Sequence, residues 1–445
     1  MNSKIFKAYD IRGIYPEELN EEAAYKIGAA FSVFIKKVSN KENPQIAVGR
    51  DNRKSSDALF TELVRGIISQ GADVIDIGLS TTPTLYFSVT NYDYDGGVNV
   101  TASHNPKEYN GFKLVREKAI TLSDVSGIEE IKEMVIANDF SEIEKKGKII
   151  KKDVSVDYIS ANKAKNSFDI KMVVDTANSV SGLLVPQIFN QTILTHIFSE
   201  LDGNFPNHEP DPFKKENIEQ FQKIVVENKA DLGVAFDGDG DRVFFVDEKG
   251  EAVSSDMILA LISSMILKNN PSNKILYDVR CSNIVKETVD NLKGESVASR
   301  VGHSFIKSLM KEKDIIFGAE YSGHYYLKQG DSYYESPYFV VFNILEEMKK
   351  SGKKLSQLIE PFKKYYHSGE INFKVDNKEE VIEKVKEKYA GGKVTTIDGV
   401  RIDFDDWWFS IRASNTEPIL RLIIEGKTKE IMEEKLKEIQ DLILS

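Results

Sequence analysis

Four short clusters in this chain gather nucleophilic, acidic, hydroxyl and cationic side chains, each at the end of a strand-like run. Asn99-Val-Thr-Ala-Ser-His-Asn-Pro106, followed by Asn110-Gly-Phe-Lys113, sets Ser103 between a strand and a polar turn, where a hydroxyl is exposed at a strand terminus. Serine is a weak nucleophile unless a base, a metal or prior modification activates it. Thr, Ser and Asn suit a plain turn equally well. Phe236-Asp-Gly-Asp-Gly-Asp-Arg242 alternates Asp237, Asp239 and Asp241 with glycines that let the backbone fold and the carboxylates converge. Three like charges this close need a cation, and hard oxygen ligands suit Mg²⁺. An EF-hand loop fits the spacing in part, because Glu248 falls at its last ligand position. That loop needs glycine where Arg242 stands, and the flanks Leu232–Phe236 and Val243–Val246 read as strands, not helices.

In Gly318-Ala-Glu-Tyr-Ser-Gly-His324, Glu320, Ser322 and His324 put a carboxylate, a hydroxyl and an imidazole on one tight loop, a set suited to neighbouring sugar hydroxyls. Ordinary turn chemistry explains that loop as well. His303, just before a helical run, is a further candidate, although a lone histidine there is more often structural. In Ile411-Arg-Ala-Ser-Asn-Thr-Glu-Pro418, Arg412 with Ser414, Asn415 and Thr416 forms a compact phosphate cradle, and Arg421 offers a second guanidinium. The competing reading is a strand-to-turn connection.

The elements that must position these clusters follow from pattern. Strand–helix alternation recurs three times: Gln45–Gly49, a helix over Ser56–Gln70 capped by Ser55 or Ser56, then Val74–Ile77; Met172–Asp175, a helix after Ser181, a long return, then Leu232–Phe236; and Ile275–Tyr277, a helix from Ser282, Val297–Ser299, a helix over Ser304–Lys313, then Ile315–Phe317. Such alternation predicts α/β layers with mostly parallel sheets, whose ligands bind beyond the carboxyl ends of the strands. The tail after about Ser368 predicts a smaller α+β domain: a short strand, a helix near Glu379–Tyr389, strand-like runs at Thr395–Ile397, Trp408–Arg412 and Ile419–Ile424, and a final helix from Lys429. Glu129–Lys152 reads as a solvated helix and connector. The expected domains are therefore 1–150, 151–253, 254–367 and 368–445.

Composition bounds the rest. The 445 residues are 41% hydrophobic and 29% charged, an ordinary balance for a globular chain. A net charge of −11 disfavours nucleic acid and anionic lipid as partners, yet admits a small anionic substrate where basic side chains converge. The single cysteine, Cys281, excludes an internal disulfide and a multi-cysteine zinc site, and reads as a small buried hydrophobe. The start carries charge at once and has no long apolar stretch, and the apolar run Met257–Leu267 is too short to span a bilayer. The expectation is a cytoplasmic protein, monomeric or weakly dimeric.

Taken together, the clusters resemble the α-D-phosphohexomutases, in particular the phosphomannomutase/phosphoglucomutase branch. The resemblance covers the whole chain, beginning with Tyr9-Asp-Ile-Arg-Gly13 and Val48-Gly-Arg-Asp51. Thr101–Pro106 is similar to that family's phosphoserine loop, Asp237–Arg242 to its magnesium loop, Glu320–His324 to its sugar loop and Arg412–Pro418 to its phosphate loop. The resemblance implies three similar α/β domains and a smaller α+β domain around a central cleft. It implies a reversible shift of phosphate between C6 and C1 of a hexose, mannose or glucose, with Ser103 carried as phosphoserine and a hexose 1,6-bisphosphate as intermediate and activator. One Mg²⁺ would sit on Asp237, Asp239, Asp241 and an oxygen of Ser103. Lys113, Arg12, Arg242 and His324 would assist catalysis. Tyr9, Arg280, His303, Glu320, Ser322, His324 and the phosphate-loop residues would bind substrate.

Ala319, where many relatives have glycine, Arg280, where close relatives often have lysine, and Tyr321, in a variable slot, depart from or vary the pattern. An arginine keeps the charge but changes the hydrogen-bond geometry. The competing readings are a phosphoglucosamine mutase, a metal-dependent sugar phosphatase with Ser103 as nucleophile, and a non-catalytic sugar-phosphate sensor. Two-metal phosphatases commonly recruit several histidines, whereas this chain has only six, scattered. A sensor would need a broken catalytic position, and none is evident.

Overall fold

The computed structural model describes residues 2–140, 143–413 and 419–444. Ser414, Asn415 and Thr416 therefore lie outside the described residues. The chain divides into two compact units, Met1–Val253 with Ser322–Ser356, and Ser254–Tyr321 with Gln357–Ser445.

The first unit holds two mixed sheets. In one, the strands run in the order Ile11–Ile14, Tyr109–Arg116, Gly96–Val100, Gln45–Arg50, Asp73–Leu79, Ile149–Lys151. The last four pair in parallel, and Tyr109–Arg116 runs antiparallel to both of its neighbours. In the other, Leu232–Phe236, Lys171–Asp175 and Ile193–Ile197 are parallel, with Val243–Val246 and Ala252–Val253 added antiparallel. Strands buried on both faces explain the unbroken apolar runs Ile46–Val48 and Leu232–Phe236. The short strand Ile120–Thr121, antiparallel to Tyr109–Arg116, and the hairpin Tyr325–Gln329 and Ser332–Glu335 complete this unit's described strands.

In the second unit Lys274–Asp278 lies between Glu295–Ser299 and Phe317–Ala319, all parallel. The tail forms an antiparallel sheet of Lys393–Thr395, Val400–Asp403, Trp407–Ala413 and Ile419–Gly426, with Tyr366–His367 and Ile371–Lys374 pairing with the last strand. Helices Lys378–Lys388 and Lys429–Leu444 pack on it through Val385, Ile439 and Ile443. This is the predicted α/β architecture with a smaller α+β tail.

Several elements differ from expectation. Ser55 occupies the N-cap position of the helix Ser56–Ser69, but its side chain makes no capping bond; Asn110 Nδ2 donates to Ser55 Oγ at 2.8 Å, and Ser56 Oγ donates to Asp51 at 2.5 Å. The helix after Ser181 is only a 3-10 turn, Val180–Leu183, followed by Val185–Ile188, with Pro186 at its start. The long return contains the strand Ile193–Ile197 and the helix Lys215–Glu227. The strand expected at Ile315–Phe317 begins at Phe317. Glu129–Lys152 is more than a connector: its helix, Ile128–Ala137, buries Ile128, Ile131 and Val135, and Ile149–Lys151 joins the first sheet. Cys281 is buried and free. Among the described residues no helix is long and apolar enough to cross a membrane.

Helices Glu21–Ser39 and Ser56–Ser69 approach closely through reciprocal glycines. A Cβ on Gly28 would stand 2.1 Å from the Leu63 carbonyl oxygen, and one on Gly66 would stand 2.0 Å from that of Tyr25. Both obstacles are backbone, so an added methyl must push the helices apart. Gly66→Ala is expected to lower stability by about 1–3 kcal/mol through overpacking, despite a helix-propensity gain of about 1 kcal/mol. Thermal unfolding checks this; an unchanged or raised midpoint would show that the helices separate without cost.

Candidate active site

The sequence from Val98 to Lys113 folds as a strand, a turn and an antiparallel strand, with Asn99 opposite Lys113. Ser103 therefore sits just beyond the carboxyl end of a buried strand, in the left-handed region at φ 53°. Non-glycine residues enter that region at a cost of order 1–3 kcal/mol and stay there only when their surroundings fix them. The fixing is visible. Thr101 Oγ1 accepts from the Ser103 N–H at 2.9 Å, and the Ser103 carbonyl accepts from Arg53 Nη2 at 2.7 Å.

Arg53 is fully buried and its guanidinium also donates to the carbonyls of Asn105 (2.7 Å), Pro106 (2.6 Å) and Tyr109 (3.2 Å), while Asp51 balances its charge at 3.1 Å. It staples the whole turn. In the sequence Arg53 is marked only as a cation two residues beyond the motif that ends at Asp51.

The acidic loop begins directly after Leu232–Phe236, and all its carboxylates are buried: Asp237 and Asp239 are 0% exposed and Asp241 1%. Gly238 is required by proximity, because a Cβ there would stand 2.3 Å from the Ser103 carbonyl oxygen. Ser103 Oγ donates to Asp237 Oδ2 at 2.8 Å. Lys113 Nζ lies 2.7 Å from Asp239 and also pairs with Asp241. Thr82 Oγ1 donates to Asp239 at 2.5 Å and accepts from Asn99 at 2.9 Å.

Burial works against the charge on Lys113, but the pull of Asp239, Asp241 and Asp237 outweighs it and holds the ammonium above the usual lysine range. Asp237 is pushed well up by burial and by its neighbours Asp241 and Asp239. Asp241 is buried as deeply, yet Lys113, His324 and Arg242 hold its carboxyl well below the usual range.

The three aspartates each offer an oxygen within 4.8 Å of the others, and the second oxygen of Asp239 is buried with no hydrogen-bond partner among the described residues. Hard, crowded, incompletely neutralised oxygens fit a divalent cation such as Mg²⁺. Asp241, His324 and Glu335 form a second close buried group.

Arg242 and His324 join this cluster through a single bridge between their backbones. His324 Nε2 lies 3.3 Å from both Arg242 Nε and Asp241 Oδ1, and Ser322 Oγ is 3.4 Å from His324 Nδ1. Arg12 enters from the strand Ile11–Ile14, pairing with Asp10 at 2.5 Å and donating to Asn105 Oδ1 at 2.6 Å. Tyr9 precedes it in a half-buried bend. His104, not singled out from sequence, places Nδ1 3.3 Å from Ser103 Oγ; burial and the nearby Arg242, Arg12 and Lys113 keep its imidazole neutral. Ser103, Lys113, Arg12, Arg242, His324 and the three aspartates thus all lie in the first unit.

The second unit carries its own polar cluster. Arg280 grips Asp278 through Nη2 at 2.7 Å and Nε at 3.1 Å, and lies 3.6 Å from Glu320. Glu320 accepts from the Gly302 N–H at 2.9 Å, next to the buried His303 that begins the helix His303–Lys313. Arg412 and Arg421 face each other across adjacent strands and share Glu370, at 2.8 and 3.3 Å. Burial disfavours the Glu370 charge, but Arg412 and Arg280 hold its carboxyl below the usual range. Nothing in the sequence marked Glu370.

Each part of the chain matches a described family domain: "Phosphoglucomutase/phosphomannomutase, alpha/beta/alpha domain I" over residues 3–142, domain II over 150–250, domain III over 254–365 and the C-terminal domain over 370–442. The chain belongs to the phosphoglucomutase/phosphomannomutase family. The mutase is 41% identical to the phosphomannomutase of Methanocaldococcus jannaschii, over 99% of this chain and 97% of that protein. It is 37% identical to a phosphomannomutase/phosphoglucomutase of Pseudomonas syringae, over 96% of this chain and 92% of that protein. It is also similar to the crystal structure of a phosphoglucomutase/phosphomannomutase family protein of Burkholderia thailandensis, with a TM-score of 0.91 and 29% identity, over 100% of this chain and 97% of that one.

A loop stapled by one buried guanidinium makes a direct prediction for the mutase. Arg53→Met leaves Asp51 buried without its cation and the turn carbonyls without their donor, which is expected to cost about 3–5 kcal/mol. The urea midpoint checks this, and an unchanged value would show that the turn is held by other contacts.

Proposed function

We propose that this mutase interconverts hexose 6-phosphate and hexose 1-phosphate, of mannose and glucose alike, through a phosphoserine at Ser103 and a hexose 1,6-bisphosphate. The observation that carries this reading is Ser103 Oγ set 2.8 Å from Asp237, inside a buried group of three aspartates with Lys113 in contact. Phosphoryl transfer needs positioning and charge neutralisation more than covalent chemistry from the protein. In the first half-reaction the phosphoserine P–O bond breaks, a new P–O bond forms to the free sugar hydroxyl, and that hydroxyl gives up its proton. The bisphosphate then turns over and returns its other phosphate to Ser103.

Asp237, Asp239, Asp241 and an oxygen on Ser103 would hold one Mg²⁺, which supplies Lewis-acid neutralisation of the transferring phosphoryl group. Lys113, in contact with Asp239 and Asp241, is a cation beside the same group. Arg242 and Arg12 add positive charge near Ser103. In this reading His104, 3.3 Å from Ser103 Oγ, and His324 move the hydroxyl proton. Glu320 and Ser322 bind the C3 and C4 hydroxyls, which glucose and mannose share, with Tyr9, Arg280 and His303 as further contacts. Arg412 and Arg421, with Ser414, Asn415 and Thr416, anchor the phosphate that is not being transferred.

Ser103→Ala is expected to lose at least roughly a thousandfold in turnover while keeping its fold. Near-normal turnover in a coupled assay, without added bisphosphate, would contradict the phosphoserine route. Chelation should abolish activity with either sugar, and added Mg²⁺ should restore it. Full activity in excess chelator would remove the metal from the account.

A further inference from the structure

Three guanidinium groups, two of them from the tail sheet, meet one carboxylate. Arg412 and Arg421 lie directly opposite each other on Trp407–Ala413 and Ile419–Gly426, a register that destabilises like charges. Glu370 stands just before Ile371–Lys374, the strand that pairs with the strand of Arg421. Its oxygens meet Arg412 Nη2 at 2.8 Å, Arg421 Nη1 at 3.3 Å and Arg280 Nη1 at 3.9 Å. Asp398 adds a weaker partner for Arg412 at 3.6 Å. Even so, the Nε atoms of Arg412 and Arg421 are buried without a hydrogen-bond partner among the described residues. Arg412 and Arg421 thus each keep a buried donor beyond what Glu370 and Asp398 take up among the described residues.

We propose that Glu370 is a resident anion of the phosphate anchor, a built-in competitor that occupies the arginines before substrate arrives and weakens their grip once phosphate is bound. This rests on the reading of Arg412 and Arg421 as that anchor. The chemistry explains why competition is useful. The bisphosphate must let go of the anchor with one phosphate and return with the other, so an anchor that bound phosphate too tightly would stall turnover. A carboxylate a few ångströms from the phosphate repels it, and its charge pairs again with the arginines as phosphate leaves. A structural strut would act in the opposite direction, since removing it would disorder the arginines and weaken phosphate binding.

The sign of the effect therefore decides. Glu370→Gln keeps the shape and an oxygen acceptor while removing the charge. Titration calorimetry with inorganic phosphate at low ionic strength is expected to show binding about five- to twentyfold tighter in this variant. Hexose 1-phosphate kinetics should show KM and kcat falling together. Glu370→Ala, with the same expected direction, serves should the Gln variant fail to fold. Arg412→Ala is the control for the underlying reading and should weaken phosphate binding at least tenfold. Weakened or unchanged binding in the Glu370 variants, with Arg412→Ala weakened as expected, overturns the role of Glu370 alone. Unchanged binding in Arg412→Ala overturns the anchor and the inference together.

Discussion

The burial of three aspartates beside one serine is the constraint on which the rest of the site depends. Carboxylates removed from water and from one another's counter-ions do not stay ionised; burial and mutual repulsion raise their pKa values. Here Lys113, His324 and Arg242 are positioned so that Asp241 keeps its charge although Asp237 is driven up. The loop is thus poised between too much and too little negative charge, which is the condition a divalent cation relieves. Ser103 Oγ lies 2.8 Å from Asp237, against that loop.

That arrangement explains otherwise unrelated features of the first unit. Gly238 is small because the Ser103 carbonyl comes within 2.3 Å of where a side chain would begin. Thr82, at the start of the helix Thr82–Asn91, reaches across to Asp239 with its hydroxyl and its backbone N–H. Arg53 gathers the carbonyls of the serine turn, so the strained backbone at Ser103 is held by a charge that is itself balanced by Asp51. Behind the acidic loop, the Pro210 carbonyl accepts from the Gly238 N–H at 3.2 Å, and His208 ties that neighbouring segment to Asp175 at 3.0 Å. The second unit repeats the logic with opposite sign, with Glu370 occupying crowded arginines.

Much of this was legible in the sequence because chemistry and proximity coincide there. Asp237, Asp239 and Asp241 alternate within one turn, so their spacing exposed them, whereas Ser103 and Lys113, on a single hairpin, needed the resemblance to the family to be told from a plain turn. What stayed hidden depends on partners far apart in the chain. Arg53 and Ser103 are fifty residues apart, Thr82 and Asp239 further still, and Glu370 meets Arg412 only after the tail strands have paired. The same limit governs the elements. Ser55 and Ser56 carry the local pattern of a cap, but Asn110 and Asp51 recruit their hydroxyls instead. The stretch after Ser181 has helical composition, yet Pro186 and its neighbours allow only short turns.

The central claim is that Ser103 carries the phosphoryl group between two sugar oxygens. The most direct measurement mixes the protein with one equivalent of hexose 1,6-bisphosphate labelled in its phosphates and maps the label on proteolytic peptides. The account predicts label on the peptide that contains Ser103, and its loss when unlabelled hexose 6-phosphate is added. Label on another residue, or none on the protein while turnover proceeds, would contradict it.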